Sequence, residues 1–186
     1  MLKKDLRLQY GRRRDNLSSH QLGDASLSIA NQLLKMPIWQ YSYYHLFLSI
    51  EEKKEIDTNF ILSILQGKDK NVVLPKMLDD RHLINLLLTD NTRIKKNHWN
   101  IPEPVEGLEV PANKLDVVFL PLLAFDLNGN RVGYGQGFYD ALLLQCRSDI
   151  VKVGLSLFPA EEKITDTEEH DVRMDYCVTP DRIYYF

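Results

Sequence analysis

The sequence predicts an α/β fold, a single domain in which a mainly parallel sheet is flanked by helices, and three observations predict it. Helix-like and strand-like segments alternate along the chain, the order that lays crossover helices over a parallel sheet. The run Val117–Phe125, of apolar and β-branched residues, is too continuous for a half-exposed strand, as expected of one covered on both faces. The 186 residues contain no Pro/Gly/Ser-rich linker and are enough for one substantial core, so residues 1–186 are expected to form one domain.

The elements follow in order. Leu2 to about Arg14 is charged, with Leu2, Leu6 and Tyr10 four apart, the spacing of a helix whose Arg12-Arg13-Arg14 cluster reads as a solvated face. Ser18 or Ser19 caps a second helix running through Leu22, Ile29, Leu33 and Leu34. Tyr43–Leu48 reads as a strand, Thr58–Gln66 as a helix stopped by Gly67, and Asn71–Pro75 as a further strand, together a βαβ unit. Periodicity does not decide the type of the apolar run His82–Leu88, although its flanks Asp79-Asp80 and Asp90-Asn91 suit a strand. Thr92–Lys114, which contains Pro102, Pro104, Gly107 and Pro111, reads as a long irregular stretch. Loops of that length in a compact domain tend to be functional, so it is expected to border the site. After Val117–Phe125 come a helix from Phe138, a strand Val151–Leu157 and a short strand Tyr176–Val178.

Composition excludes several classes. A formal charge of -3 with interspersed signs argues against a nucleic-acid-binding surface. The N-terminal segment lacks the apolar core of a signal peptide, and the longest apolar runs are too short to span a bilayer, so a soluble, cytoplasmic protein is expected. Cys146 and Cys177 are far apart and lack Cys-x-x-Cys or histidine partners at ligand spacing, which fits reduced structural thiols.

The chemistry concentrates between Asp116 and Asp140. Asn128-Gly129 predicts a two-residue hairpin turn with positive φ at both centres, returning the chain with Arg131 near the strand end. Gly133, Gly135 and Gly137 then recur at alternate positions, and a backbone without Cβ atoms lets N–H groups approach an anion closely. Phe138-Tyr139-Asp140 open a helix, whose N-terminal amides and dipole favour phosphate. Arg131 can add a bidentate phosphate contact, and Asp140 can hold a divalent ion. Such a loop also arises where a helix simply packs tightly on a sheet, and the local sequence leaves both readings open. The spacing matches neither Gly-x-Gly-x-x-Gly nor the Gly-Lys-Ser/Thr phosphate loop. In a parallel sheet ligands sit beyond the C-terminal strand ends, which is where the preceding strand delivers this loop.

Nearly end to end, the chain resembles the 5-formyltetrahydrofolate cyclo-ligase (5,10-methenyltetrahydrofolate synthetase) family. The resemblance is carried by Lys3-Lys4-Asp5-Leu6-Arg7, Leu48-Ser49-Ile50 before Glu55-Ile56-Asp57-Thr58, Leu74-Pro75-Lys76, Ile101-Pro102-Glu103-Pro104, Leu120–Asp126, Gly129–Asp140, and His170-Asp171 before Asp175. It implies a Rossmann-like sheet of sugar-phosphate isomerase/CoA-transferase-like topology. It also implies ATP-dependent, Mg2+-assisted closure of 5-formyltetrahydrofolate to 5,10-methenyltetrahydrofolate with release of ADP and phosphate, by phosphorylation of the formyl oxygen, in a monomer or weak homodimer. Carried over by position, Lys3, Lys4, Arg7, Arg131, Gly133, Tyr134, Gly135, Gln136, Gly137, Phe138 and Tyr139 would bind ATP, with Arg131 and Tyr139 catalytic. Ile50, Glu55 and Tyr134–Phe138 would bind the folate, and Asp140 and Asp175 the metal.

Without the resemblance, Lys3 and Arg7 would be a solvated helix face, Glu55 a loop charge, Ile50 core, His170 a polar loop residue, and Trp39 and Trp99 packing residues. Two rival functions are a non-catalytic binding module of the same fold and a sugar-phosphate isomerase or acyl-transferase activity. Joint retention of Lys3, Arg7, Arg131, Asp140 and Asp175 argues against the first, and folate-dependent ATP hydrolysis separates the second.

Overall fold

The computed structural model describes residues 1–78 and 82–186, so the Asp79-Asp80 flank invoked above lies outside the described residues. The helices are α1 (Lys3–Asp15), α2 (Ser19–Leu33), α3 (Asn59–Gly67) and α4 (Phe138–Gln145). The first strands are β1 (Tyr43–His45), β2 (Asn71–Met77), β3 (Leu83–Leu87), β4 (Ile94–Lys96) and β5 (Pro102–Pro104). They are followed by β6 (Val117–Pro121), β7 (Ala124–Phe125), β8 (Arg131–Val132), β9 (Val151–Leu155), β10 (Tyr176–Val178) and β11 (Ile183–Tyr185). The main sheet has seven strands in the order β11-β10-β9-β6-β1-β2-β3. Its five inner strands are parallel and both edge strands run antiparallel, so the expected mainly parallel sheet is present.

Alternation along each strand sends side chains to two apolar layers. Tyr44, Val117, Phe119 and Val153 pack with Ile29 and Leu33 of α2 and Leu65 of α3. Val73, Val118, Leu120 and Cys177 pack with Leu142 and Leu143 of α4. Ser18 starts α2 with a reciprocal box, its hydroxyl accepting from the Gln21 N–H (3.2 Å) while the Gln21 side chain accepts from the Ser18 N–H (2.9 Å). A third, small cluster of Leu6, Tyr10, Leu123, Ala124, Val132 and Ile164 docks α1 on the β7–β8 hairpin. Among the described residues no helix is long and apolar enough to cross a membrane.

Several expectations need correction. Val117–Phe125 is two strands: β6 ends at Pro121, and the chain then bends so that β7 pairs with β8 instead of the main sheet. The apolar run is continuous because both pieces are buried, and burial alone does not reveal a change of partner. The first strand ends at His45, leaving Phe47–Ile50 free to turn over the sheet edge, and the Val151 strand ends at Leu155. His82–Leu88 does contain a strand, β3. Thr92–Lys114 is not irregular throughout but carries the antiparallel pair β4–β5. β11 was not anticipated.

The hairpin turn also differs. Gly129 alone takes positive φ (79°), Asn128 does not, and Phe125 pairs with Arg131, so the connection is longer than a two-residue turn. A buried carboxylate organises it. Asp126 accepts from the backbone N–H groups of Asn128 (3.0 Å), Asn130 (3.0 Å) and Ile164 (2.9 Å) and from the Asn130 amide (2.9 and 3.1 Å). A Cβ on Gly129 would meet Phe186 at 2.8 Å, so both the conformation and the space demand glycine. Removing the carboxylate strands these buried donors, and Asp126→Ala is expected to cost about 3 kcal/mol or more in urea denaturation; a loss below about 1 kcal/mol would show that the turn is held otherwise.

Candidate active site

The chain leaves β1 toward β2 on one side, while β6 lies on the other, so the β1/β6 boundary is the point at which strand order reverses. A crevice is expected beyond the C-terminal strand ends at such a boundary. A cleft of about 440 Å³ lies there. Phe47, Leu48 and Ile50 enter it past β1, Pro75 and Met77 from β2, and Pro121 from the end of β6. Trp99, Ile101, Pro102 and Glu103 bring in the β4–β5 segment, which does border the site as expected from the sequence. The glycine-rich loop, the first turn of α4, and Lys3 and Arg7 of α1 complete the lining.

The loop holds its shape through two left-handed glycines, Gly135 (φ 94°) and Gly137 (φ 75°), the second at the N-cap of α4. Arg7 lies along it, its Nε donating to the Gly133 carbonyl (2.9 Å). A Cβ on Gly135 would stand 3.2 Å from the Arg7 guanidinium carbon, tighter than ordinary contact. Gly135, Gln136 and Gly137 are exposed to the cleft side of the molecule, leaving the loop free to receive an anion.

Two cation–carboxylate pairs stand beside the loop. Arg131 donates to Asp140 Oδ1 (2.7 Å) and to the Val172 carbonyl, while the Val172 N–H donates to the same Oδ1 (3.1 Å). The Lys3 ammonium donates to Asp171 Oδ2. Burial works to raise the Asp171 carboxyl, but the Lys3 ammonium and the Glu168 N–H outweigh it and hold it below its ordinary value. Burial, followed by the Glu55 charge, pushes the Tyr139 phenol far above its ordinary value, so Tyr139 keeps its proton. His45 lies beneath the Tyr139 ring (centroids 5.9 Å apart), and burial lowers it to about 3, so it is neutral.

Glu55, which is 4% exposed, lines the same cleft. Its Oε2 accepts from the Ile50 N–H (2.7 Å) and its Oε1 from the Tyr134 hydroxyl (2.7 Å). Tyr134 in turn accepts from Arg14 Nη1 (2.8 Å), and Arg14 Nη2 donates to the Leu122 carbonyl (2.6 Å). The Lys53 ammonium sits 4.1 Å over the Tyr134 ring. Burial raises the Glu55 carboxyl; the Ile50 N–H, the Tyr134 hydroxyl and the charges of Arg14 and Lys53 oppose it.

The structure thus gathers Lys3, Arg7, Ile50, Glu55, Arg131, Gly133–Gly137, Phe138, Tyr139 and Asp140 around one cleft. Two sequence-based assignments fall elsewhere. Lys4 is exposed on the outer side of α1 and does not line the cleft. Asp175 immediately precedes β10, at the end of the sheet opposite the cleft, where it accepts from the Lys152 N–H (2.8 Å) and pairs with the Lys152 ammonium (2.9 Å). The carboxylate that reaches the cleft is Asp171, four residues earlier. The basic cluster is not a solvated face either: Arg14 is buried, and Arg13 stacks over Tyr10 (4.7 Å) and Phe158 (4.2 Å). Trp99 lines the cleft and is 40% exposed, unlike Trp39, which packs near Tyr44 and donates to the Leu33 carbonyl. His170 lies in a loop beside Glu168 (3.2 Å).

The model of the 5-formyltetrahydrofolate cyclo-ligase family matches residues 1–180. The 5-formyltetrahydrofolate cyclo-ligase of Haemophilus influenzae is 31% identical over 175 residues, covering 91% of this chain and 93% of the relative. That of Mus musculus is 29% identical over 192 residues, covering 96% and 94%. Among solved structures, Aquifex aeolicus 5,10-methenyltetrahydrofolate synthetase superposes with a TM-score of 0.85 at 28% identity, over 100% of this chain and 93% of that one. A methenyltetrahydrofolate synthetase from Mycoplasma pneumoniae shares the fold, with a TM-score of 0.77 at 22% identity over 97% and 99%.

If the loop is an anion cradle, Gly135→Ala should fill it: the added methyl presses on Arg7 and the left-handed backbone costs about 1–2 kcal/mol. Calorimetry with inorganic tripolyphosphate is expected to show binding weakened at least about tenfold. Unchanged affinity would mean that the glycines serve packing alone.

Proposed function

The chain belongs to the 5-formyltetrahydrofolate cyclo-ligase family, and from that premise we propose how its cleft carries out the ATP-dependent cyclisation of 5-formyltetrahydrofolate to 5,10-methenyltetrahydrofolate. Residues 1–186 act as one cyclo-ligase domain. One juxtaposition carries this: Lys3, Arg7, Arg131 and the glycine-rich loop line the same cleft as Glu55 and an apolar wall.

The ATP triphosphate lies along the amides of Gly133–Gly137 and takes Lys3, Arg7 and Arg131 as counter-charges. Lys3 and Arg131 are held by Asp171 and Asp140 in the free protein. Phosphates would take the two cations as partners, and Asp171 and Asp140 would then be the residues to hold a magnesium ion. Their hard carboxylate oxygens fit such an ion. The bound metal supplies neutralisation of the phosphate charge.

Glu55 receives the N–H and amino donors of the reduced pterin on the free lone pairs of its oxygens. Ile50, Leu48, Met77, Ile101, Trp99 and Phe138 wall the rings, with Trp99 offering the broadest exposed face. The formyl oxygen then faces the γ-phosphorus. It attacks, ADP leaves, and the neighbouring nitrogen attacks the activated formyl carbon. That nitrogen gives up its proton as phosphate departs with the C–O electron pair. In-line transfer of this kind needs positioning and charge neutralisation more than a covalent residue. Arg131 meets the transferring phosphoryl group, and Tyr139 offers a hydrogen-bond donor beside it.

The test is the near-ultraviolet absorbance of the methenyl product from purified protein, 5-formyltetrahydrofolate and ATP. Absorbance should rise only with ATP; a flat trace from folded, ATP-binding protein would favour a non-catalytic module. Magnesium titrations separate the two candidate carboxylates. Asp171→Asn should raise the magnesium needed for half-maximal rate at least about tenfold, whereas Asp175→Asn, at the far end of the sheet, should leave it unchanged. The reverse pattern would overturn the metal assignment.

A further inference from the structure

We propose that Arg14 is a positioning residue for the folate: through the Tyr134 hydroxyl it fixes Glu55 as a hydrogen-bond acceptor directed at the pterin. This rests on the folate reading above and extends it to a residue outside the cleft lining. Arg14 is 3% exposed, an unusual place for a guanidinium at the end of a surface helix. Two of its donors are committed, one to the Leu122 carbonyl and one to the Tyr134 oxygen.

The second contact sets a direction. A guanidinium only donates, so the Tyr134 oxygen must accept, and its single proton is left to point at Glu55 Oε1, 2.7 Å away. Glu55 Oε2 is fixed by the Ile50 N–H. The carboxylate therefore has a donor on each oxygen, and its other lone pairs can receive the pterin. Without Arg14 the hydroxyl can turn away, and Glu55 loses both a donor and a nearby positive charge where burial already favours the neutral form. A protonated Glu55 would meet the pterin donors with a proton of its own.

The groups facing Glu55 are the Ile50 N–H, Tyr134, the Arg14 and Lys53 charges, and the Tyr139 phenol. Burial puts the Glu55 carboxyl above its ordinary value and the two cations pull it down. Removing Arg14 raises it further, so the active carboxylate is lost at a higher pH as the solution is acidified. The acid limb of kcat/KM for folate moves up.

The test uses Arg14→Met, Tyr134→Phe and the double variant in the full chain. Arg14→Met is expected to raise the folate KM about tenfold, leave the ATP KM within about twofold, and move the acid limb upward by about one pH unit. In the Tyr134→Phe background, where the relay is already cut, Arg14→Met should add no more than about twofold. Equal rises in both KM values, full additivity or an unmoved acid limb would make Arg14 merely structural and overturn the proposal. Should Arg14→Met fail to fold, Tyr134→Phe alone decides: its acid limb must also rise, and an unmoved limb is the contrary result. Wild-type turnover beside unaffected variants sinks only the role of Arg14, whereas absence of wild-type turnover sinks the folate reading itself.

Discussion

The cleft depends on the docking of α1 against the glycine-rich loop. That helix has a thin apolar stripe, Leu6 and Tyr10, whose burial contributes on the order of 2–3 kcal/mol each. Polar contacts set its place. Met1 donates to the Lys163 carbonyl, the Lys3 N–H to Asp166, Arg7 to Gly133, Tyr10 to Glu161, and Arg14 to Tyr134 and Leu122. All of these partners lie more than a hundred residues along the chain. The helix therefore pins the loop from outside while the Asp126 turn and α4 hold it from within. Lys3 and Arg7 line the cleft beside the loop, and Arg14, two turns on, holds Tyr134.

Charges gathered in so small a space must be compensated before any ligand arrives, because an unpaired buried charge costs several kcal/mol. In the free protein Lys3 is paired with Asp171, Arg131 with Asp140, and Glu55 with Tyr134 and the Ile50 amide. Each partner of such a pair is also what the nucleotide or its metal would want. On the proposed reading, ligand binding would become an exchange of partners at nearly constant local charge. The cations would meet phosphate as the carboxylates meet metal, and the two events would be coupled, since either alone would leave one sign of charge unmatched.

The fold was legible where the sequence carries its own stop and start signals. Ser18 marks the beginning of α2, α3 ends at Gly67 although the left-handed residue beyond it is Asp69, and the alternation of elements gives the parallel sheet. It was less legible where a single property served two purposes. Val117–Phe125 is apolar throughout because it is buried throughout, and only the change of hydrogen-bond partner after Pro121 divides it. The site shows the same contrast. Local glycine spacing located the loop, but the choice between Asp171 and Asp175 turns on the path of the segment that leads into β10: Asp175 has reached the start of the strand beside Lys152, whereas Asp171, four residues earlier, still lines the cleft. Arg14 had a signal that charge obscured: the four-residue spacing of Leu6 and Tyr10 continues directly onto it. Its partner Tyr134 lies 120 positions away, and only the folded chain brings the two together.

The central claim is that phosphoryl transfer runs across this cleft from ATP to the formyl oxygen. It is tested most directly by carrying out a turnover with 5-formyltetrahydrofolate labelled with oxygen-18 in the formyl group and measuring the label in the released phosphate by mass spectrometry. The account predicts one labelled oxygen in each phosphate formed. Unlabelled phosphate, with the methenyl product still formed, would contradict it by showing that ATP is cleaved without the formyl oxygen becoming the phosphoryl acceptor.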